Sequence, residues 1–374
     1  MKKILFLLLC LVSLACLIAM PFLFTHSEML PEKVTEYYEL KAQDQAQTAT
    51  GADAQLMALL LGGGVPAPVV EEAPAETEEG LSFSVYGLYL LIGAVLGAGL
   101  LAAQAKFHPA LRPALLWTAG LSLPLGMLGA RLVYCLSAIV FFLKDIGNPA
   151  AMLKIWEGGL ALTGALFSVA LAGVIGAKIG KASIGKMLDL LAGPMLIFAF
   201  FTAFALKEIG MGFGPEMDAA IPLLTLQADD ISRLNTPLLF MLFVVSLLIL
   251  HARLLKKGRP QGHAFALTAF LYGSGMILME SLRRDGHMLL GFVHVEMMLD
   301  MAIALPALLY LARKAKRIIP ALGASVLLSG AVIGLEFALD RASIGDLWLY
   351  LVYIAAICAY LWLGCSCAKK AAAV

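Results

Sequence analysis

Ser84-Val-Tyr-Gly-Leu-Tyr-Leu-Leu-Ile-Gly-Ala-Val-Leu-Gly-Ala-Gly-Leu-Leu-Ala-Ala103 is a run of 20 residues without one charged side chain. Wound as a helix at about 1.5 Å per residue it covers the ~30 Å of a bilayer's hydrocarbon core. The pattern repeats along the chain. Further apolar runs lie near 114–142, 159–177, 187–206, 237–251, 264–282, 292–312, 319–337 and 345–363, and with the apolar opening Met1–Phe24 they make ten spans. Composition agrees: of 374 residues 61% are apolar and only 14% charged, with a mean hydropathy of +0.89. Soluble chains carry roughly 25% charged residues, so a water-soluble fold is excluded. The expected fold is all-α, a polytopic helical membrane protein, because only helices and closed barrels satisfy every backbone group in lipid.

Charge is distributed unevenly. Residues 25–80 hold 11 of the chain's 26 acids against two lysines, with a Pro-rich Val65–Pro74 stretch, and read as an acidic, disordered, external linker. The segment before it, residues 1–24, reads as a membrane anchor or signal-like helix. With an inside N terminus, 17 of the 27 basic residues fall on one side, in Lys2/Lys3, Lys106/Arg112, Lys178–Lys186, Arg253–Arg259, Arg313–Arg317 and Lys369/Lys370. The positive-inside rule makes that side, and both termini, cytoplasmic. The net charge of +1 points to no nucleic-acid partner. The six cysteines lie in or beside apolar spans, without the spacing of a zinc site or a disulfide framework.

Ionisable groups at membrane depth are costly and mark candidate sites. Arg131, inside Leu128-Gly-Ala-Arg-Leu-Val-Tyr134, and Glu280, at the end of Tyr272-Gly-Ser-Gly-Met-Ile-Leu-Met-Glu280, are expected to pair within the outer half of the bundle. Trp156-Glu-Gly-Gly-Leu-Ala-Leu-Thr-Gly164 leads into a span from the outer side. Its glycines 158, 159 and 164 would let a helix or a lipid headgroup approach the backbone, and helix packing explains them equally well. No Gly-rich phosphate loop, Gly-x-Ser-x-Gly elbow or His-Glu-x-x-His pair occurs.

In this order, Tyr86-Gly87, Gly129-Ala-Arg-Leu-Val-Tyr134, Ile155-Trp-Glu-Gly-Gly-Leu160 with Gly164, Leu188-Asp-Leu-Leu-Ala192, Phe213-Gly214, Leu271-Tyr-Gly273 and Glu280 followed by Arg283-Arg284-Asp285 resemble the prolipoprotein diacylglyceryl transferase family. The resemblance runs from about Ser82 to Leu311. It implies a seven-helix core over 81–312, with 313–374 adding two C-terminal helices. It also implies an enzyme of the bacterial cytoplasmic membrane that moves diacylglyceryl from phosphatidylglycerol to the lipobox cysteine of a prolipoprotein signal peptide, with no metal or soluble cofactor.

By the same resemblance Glu280 and Arg131 are expected catalytic residues, and His294 joins them as an imidazole near an outer span end. Tyr86, Trp156, Gly158, Gly159, Thr163, Gly164, Lys207 and Arg283 are the expected lipid-binding ones. The chain departs from the family at Thr163, where the family has a histidine. It departs again at Met276, one turn before Glu280, and along Phe200–Lys207, where the family has arginine. A threonine or methionine supplies neither positive charge nor a base near neutral pH. Lys207, Arg283, Arg284, His287 and His294, at or near the outer span ends, are the groups able to take over. The alternative is a catalytically inactive relative that binds membrane lipid or lipoprotein. A small-solute transporter is disfavoured, since no pair of broken helices in repeated halves is visible.

Overall fold

The computed structural model of the chain describes residues 2–23, 84–139, 143, 149–153, 159–208, 211–217, 221–228, 231–284, 289–290, 293–341 and 346–373. The acidic stretch 25–80 lies outside the described residues. Among those described, ten helices are long and apolar enough to cross a membrane. They are α1 (Lys2–Leu23), α2 (Val85–Phe107), α3 (Arg112–Ser137), α4 (Leu162–Ile179), α5 (Ile184–Glu208), α6 (Thr236–Lys256), α7 (His263–Leu282), α8 (Val295–Lys314), α9 (Ile318–Arg341) and α10 (Asp346–Ala371). The fold is an all-α polytopic membrane bundle.

Most spans expose apolar side chains along one face, whereas α7 has no exposed residue. On α3, Leu128, Leu132 and Leu136, four residues apart, are exposed, whereas Ala130, Arg131, Tyr134 and Cys135 on the opposite face are buried. Inside, the helices pack through small residues, as expected where hydrocarbon on both sides removes any solvent drive to associate. A Cβ on Gly129 would lie 2.8 Å from the Gly164 carbonyl, and one on Gly164 would lie 2.7 Å from Val133 Cβ, so α3 and α4 touch backbone to backbone. α2 lies along α5, α7 along α8, and α1 against α2 and α3. Ser13 Oγ donates to the Gly120 carbonyl (2.6 Å), tying α1 to α3.

Two differences from the sequence reading have local causes. The fourth span starts at Leu162 rather than 159, because Gly159 has φ +70, a left-handed backbone that cannot belong to the helix. The loops at one end of the bundle hold two small antiparallel hairpins, β1 (Thr225–Ala228) with β2 (Ile231–Leu234) and β3 (Leu289–Leu290) with β4 (Val293–His294). Such hairpins satisfy loop backbone groups and are too short to leave a pattern in the sequence.

At the opposite end from these hairpins, Asp189 of α5 caps α7. One carboxylate oxygen accepts from Gly262 N (2.7 Å) and the other from Phe265 N (2.8 Å), the orphan amides of the first turn. The Asp189 carbonyl accepts from His251 Nε2 (2.9 Å), and Thr268 Oγ1 donates to His251 Nδ1 (2.9 Å). This fully bonded cluster locks α5, α6 and α7 together.

Candidate functional site

The C-terminal turn of α7 carries the charged part of the site. Arg283 Nη1 lies 3.2 Å from both carboxylate oxygens of Glu280, i and i+3 on the same face, and Glu280 is 4% exposed. The next helix reinforces that turn, as His294, at the start of α8, donates from Nδ1 to the Glu280 carbonyl (3.0 Å). α10 reinforces it too: Tyr350 Oη donates to the Ser281 carbonyl (2.9 Å) and in turn accepts from Arg284 Nη2 (3.0 Å).

Arg131 has other partners. Its Nε donates to the Met152 carbonyl (2.9 Å), its Nη1 to the Gly159 carbonyl (3.3 Å), and its guanidinium lies 5.8 Å from the centre of the Tyr134 ring. The expected Arg131–Glu280 pair is therefore replaced by two separate arrangements. A long arginine on α3 reaches more readily to the carbonyls of the chain folding back over it, while Glu280 finds a cation one turn away. Arg131 pins the Gly-rich segment to α3, together with the hydrogen bond from Ala161 N to the Ala130 carbonyl (3.1 Å).

A cavity of about 250 Å³ opens among α2, α3, α4, α5, α7 and α8. Tyr86, Gly159, Thr163, Glu280 and Arg283 line it. Gly159 is needed there twice over, for its positive φ and because a Cβ would strike the Tyr134 ring. Gly164 instead makes the α3–α4 contact. Arg131, expected to line the cavity, stands behind the wall formed by its neighbours Ala130 and Tyr134. His294 and Lys207 are likewise absent from the lining. His294 braces the Glu280 backbone, and Lys207 lies beside Glu208 (3.9 Å) and over the Phe204 ring. Trp156, Gly158 and His287 lie outside the described residues.

The cavity also holds groups that the sequence reading missed. Glu296 and Asp300, one turn apart on α8, line it with Tyr272 and Met276 of α7. Thr163 Oγ1 donates to Glu296 Oε2 (3.4 Å). The rule that picked out Arg131 and Glu280, an ionisable residue at membrane depth, applies equally to Asp300. A second cavity, of about 590 Å³, lies between α4, α5, α7 and α8 and shares Leu166, Met195 and Tyr272 with the first. Its wall is mainly apolar, with Ser183, Gln261 and Tyr310 among its polar members. The site thus combines a greasy cleft with a polar end bearing three carboxylates and one guanidinium.

The model of the prolipoprotein diacylglyceryl transferase family matches residues 75–313. The phosphatidylglycerol–prolipoprotein diacylglyceryl transferase of Frankia alni is 28% identical over 219 residues, 54% of this chain and 55% of that protein. The protein of the same name from Bacillus licheniformis is 28% identical over 112 residues, 30% of this chain and 40% of that one. A third, from Listeria innocua, is 36% identical over 78 residues, 21% of this chain and 27% of that one. The chain spans between about a quarter and about half the length of such relatives. Helices α9 and α10 lie beyond the residues matched by the family model.

Proposed function

Since the chain belongs to the prolipoprotein diacylglyceryl transferase family, we propose that it binds a glycerophospholipid in the two neighbouring cavities and transfers its diacylglyceryl group to the thiol of a lipobox cysteine. The donor is phosphatidylglycerol in the names of the relatives. The observation that carries this reading is the meeting of Glu280–Arg283, Glu296, Thr163 and Tyr86 at the polar end of an apolar cleft. In the reaction, sulfur attacks the glyceryl carbon that bears the phosphate ester. An S–C bond forms, the C–O bond breaks, and the phosphate monoester leaves with the electron pair.

Arg283 is the cation available to that phosphate, oriented by Glu280. The Thr163–Glu296 hydrogen bond brings a carboxylate to the position where the resemblance expects an imidazole, so Glu296 takes the thiol proton. Arg131 is a positioning residue that shapes the Gly159 wall, and His294 one that holds the Glu280 turn. We assign the protein to the bacterial cytoplasmic membrane with both termini inside, residues 81–312 as the transferase core, 1–24 as an anchor, 25–80 as an external linker, and 313–374 as an added helical pair.

The test is complementation of a cell depleted of its own transferase. The native chain should restore thioether formation on prolipoprotein, and E296Q should lower it by about a hundredfold or more, the scale of one acid–base group. A second reading, a catalytically silent lipid-binding relative, is favoured by Thr163 and Met276 both facing the cavity where the resemblance expects a base and a cation. It follows if purified protein binds phospholipid yet the native chain yields no thioether.

A further inference from the structure

The C-terminal turn of α7 has two faces. Glu280 and Arg283 line the cavity, whereas Ser281, about 100° further round the helix, is absent from the lining and fully buried. α10 holds that second face: the Tyr350 hydroxyl donates to the Ser281 carbonyl and accepts from Arg284, the residue next to Arg283. Behind it stand Tyr353 of α10 and Glu336 of α9, both buried, which face Ser281 and one another. Arg284 is the charged group facing Glu336. Glu336 Oε1 and Ser281 Oγ are buried and, among the described residues, make no hydrogen bond. Attachment of the helical pair does not call for such groups. Nearer the other end of the bundle the Tyr360 ring of α10 packs on Phe270 of α7 with ring centres 5.2 Å apart, and its hydroxyl lies 2.8 Å from Ser325 Oγ of α9. A joint that served only to dock α9 and α10 would be apolar at the site end, because a carboxyl and open hydroxyls within a span are costly.

We propose that the added helical pair is a working part of the lipid site: through Tyr350, backed by Glu336, it fixes the Glu280–Arg284 turn so that Arg283 meets the lipid phosphate in one orientation. The inference rests on the lipid-binding reading above and extends it to two helices beyond the residues matched by the family model. Tyr350 and Glu336 are positioning residues. Neither lines the cavity, and each acts through Ser281 or Arg284, the immediate neighbours of the two charged side chains that do. Position matters here because a charge-assisted hydrogen bond to phosphate depends on the angle at which the guanidinium is presented, whereas acyl chains in an apolar cleft tolerate a small shift of the turn. Loosening the turn should therefore weaken the hold on the phosphate and spare the hold on the chains.

The experiment uses the purified full chain in non-ionic detergent, with displacement of a fluorescent diacylglycerol as the readout. Dioleoyl phosphatidylglycerol and dioleoylglycerol are compared as competitors, since only the first carries a phosphate. The native chain should favour the phospholipid by about tenfold, the scale of one charge-assisted hydrogen bond. Y350F should cut that preference to about threefold or less while binding dioleoylglycerol within about twofold of the native chain. E336L should do the same, and E336Q, which keeps the shape and the hydrogen-bonding atoms, should retain the native preference. If E336L does not fold, Y350F, which loses one hydroxyl, decides alone. An unchanged preference in Y350F, or a loss of affinity for both lipids alike, as general loosening of the bundle would give, overturns the proposal and leaves the lipid-binding reading standing. A native chain that binds neither lipid, or that shows no preference for the phosphate-bearing one, overturns that reading itself.

Discussion

Removing one member of the Glu280–Arg283 pair breaks the ion pair at the polar end of the cavity, where two further carboxylates stand. The two side chains are 5% and 15% exposed, and one guanidinium nitrogen serves both oxygens at 3.2 Å. For a buried pair, loss of one partner costs about 3–5 kcal/mol. The single-nitrogen geometry, rather than a two-pronged fork, and the partial exposure of Arg283 lower the expectation to about 2–3 kcal/mol for E280Q or R283Q. Replacing both together removes the mismatch, so the double variant should lose about 2 kcal/mol less than the sum of the singles. Unfolding of the four proteins in non-ionic detergent, followed in parallel, measures that coupling. R131Q combined with E280Q should by contrast be additive within about 0.5 kcal/mol, because the Arg131 hydrogen bonds run to Met152 and Gly159. Additive losses for Glu280 and Arg283, or strong coupling of Glu280 to Arg131, would refute this account of which cation holds the glutamate.

D189A should strip both caps from the α7 first turn and cost about 2 kcal/mol or more, with D189N losing less because an amide oxygen still accepts one of the two bonds; the same melting assay reads it. G164A should cost about 1–3 kcal/mol by forcing α3 and α4 apart, and it should weaken lipid displacement as well, since Thr163 and Gly159 move with α4. Y350F removes the hydroxyl that joins α10 to Ser281 and Arg284; protease sensitivity at the outer end of α7 should rise, while lipid-free melting shifts by about 1 kcal/mol. A reporter fused after Val374 or inserted near Gln261 should read as cytoplasmic and one near Ala54 as external. An external C terminus would contradict the orientation assigned from the basic loops.

The resemblance brought Glu280, Arg283, Gly159, Thr163 and Tyr86 to attention, and these five do share one cavity. Arg131, chosen by the same resemblance, and His294, chosen for its place near an outer span end, are both absent from the lining. From spacing alone, a residue on the inner face of a helix and one a single position round are hard to tell apart, and a long side chain settles on whichever carbonyl or carboxylate the neighbouring backbone offers. Glu296 and Asp300 were passed over because the span reading treats 292–312 as uniform. Their significance comes from facing α7 across the cavity, a fact about helix rotation and not about sequence spacing.

The sequence by itself determined the class of the molecule. Ten charge-poor runs of about twenty residues permit nothing but membrane helices, since unpaired backbone groups in hydrocarbon leave no other solution, and the motifs strung along them identified the family. What only the tertiary structure decided is the pairing of charges. Electrostatic partners are chosen within a few ångströms, and Glu280 takes Arg283 rather than Arg131, while Thr163 meets Glu296 and Asp300 is left facing the cavity, because of how α3, α4, α7 and α8 are rotated and how closely their glycines let them approach.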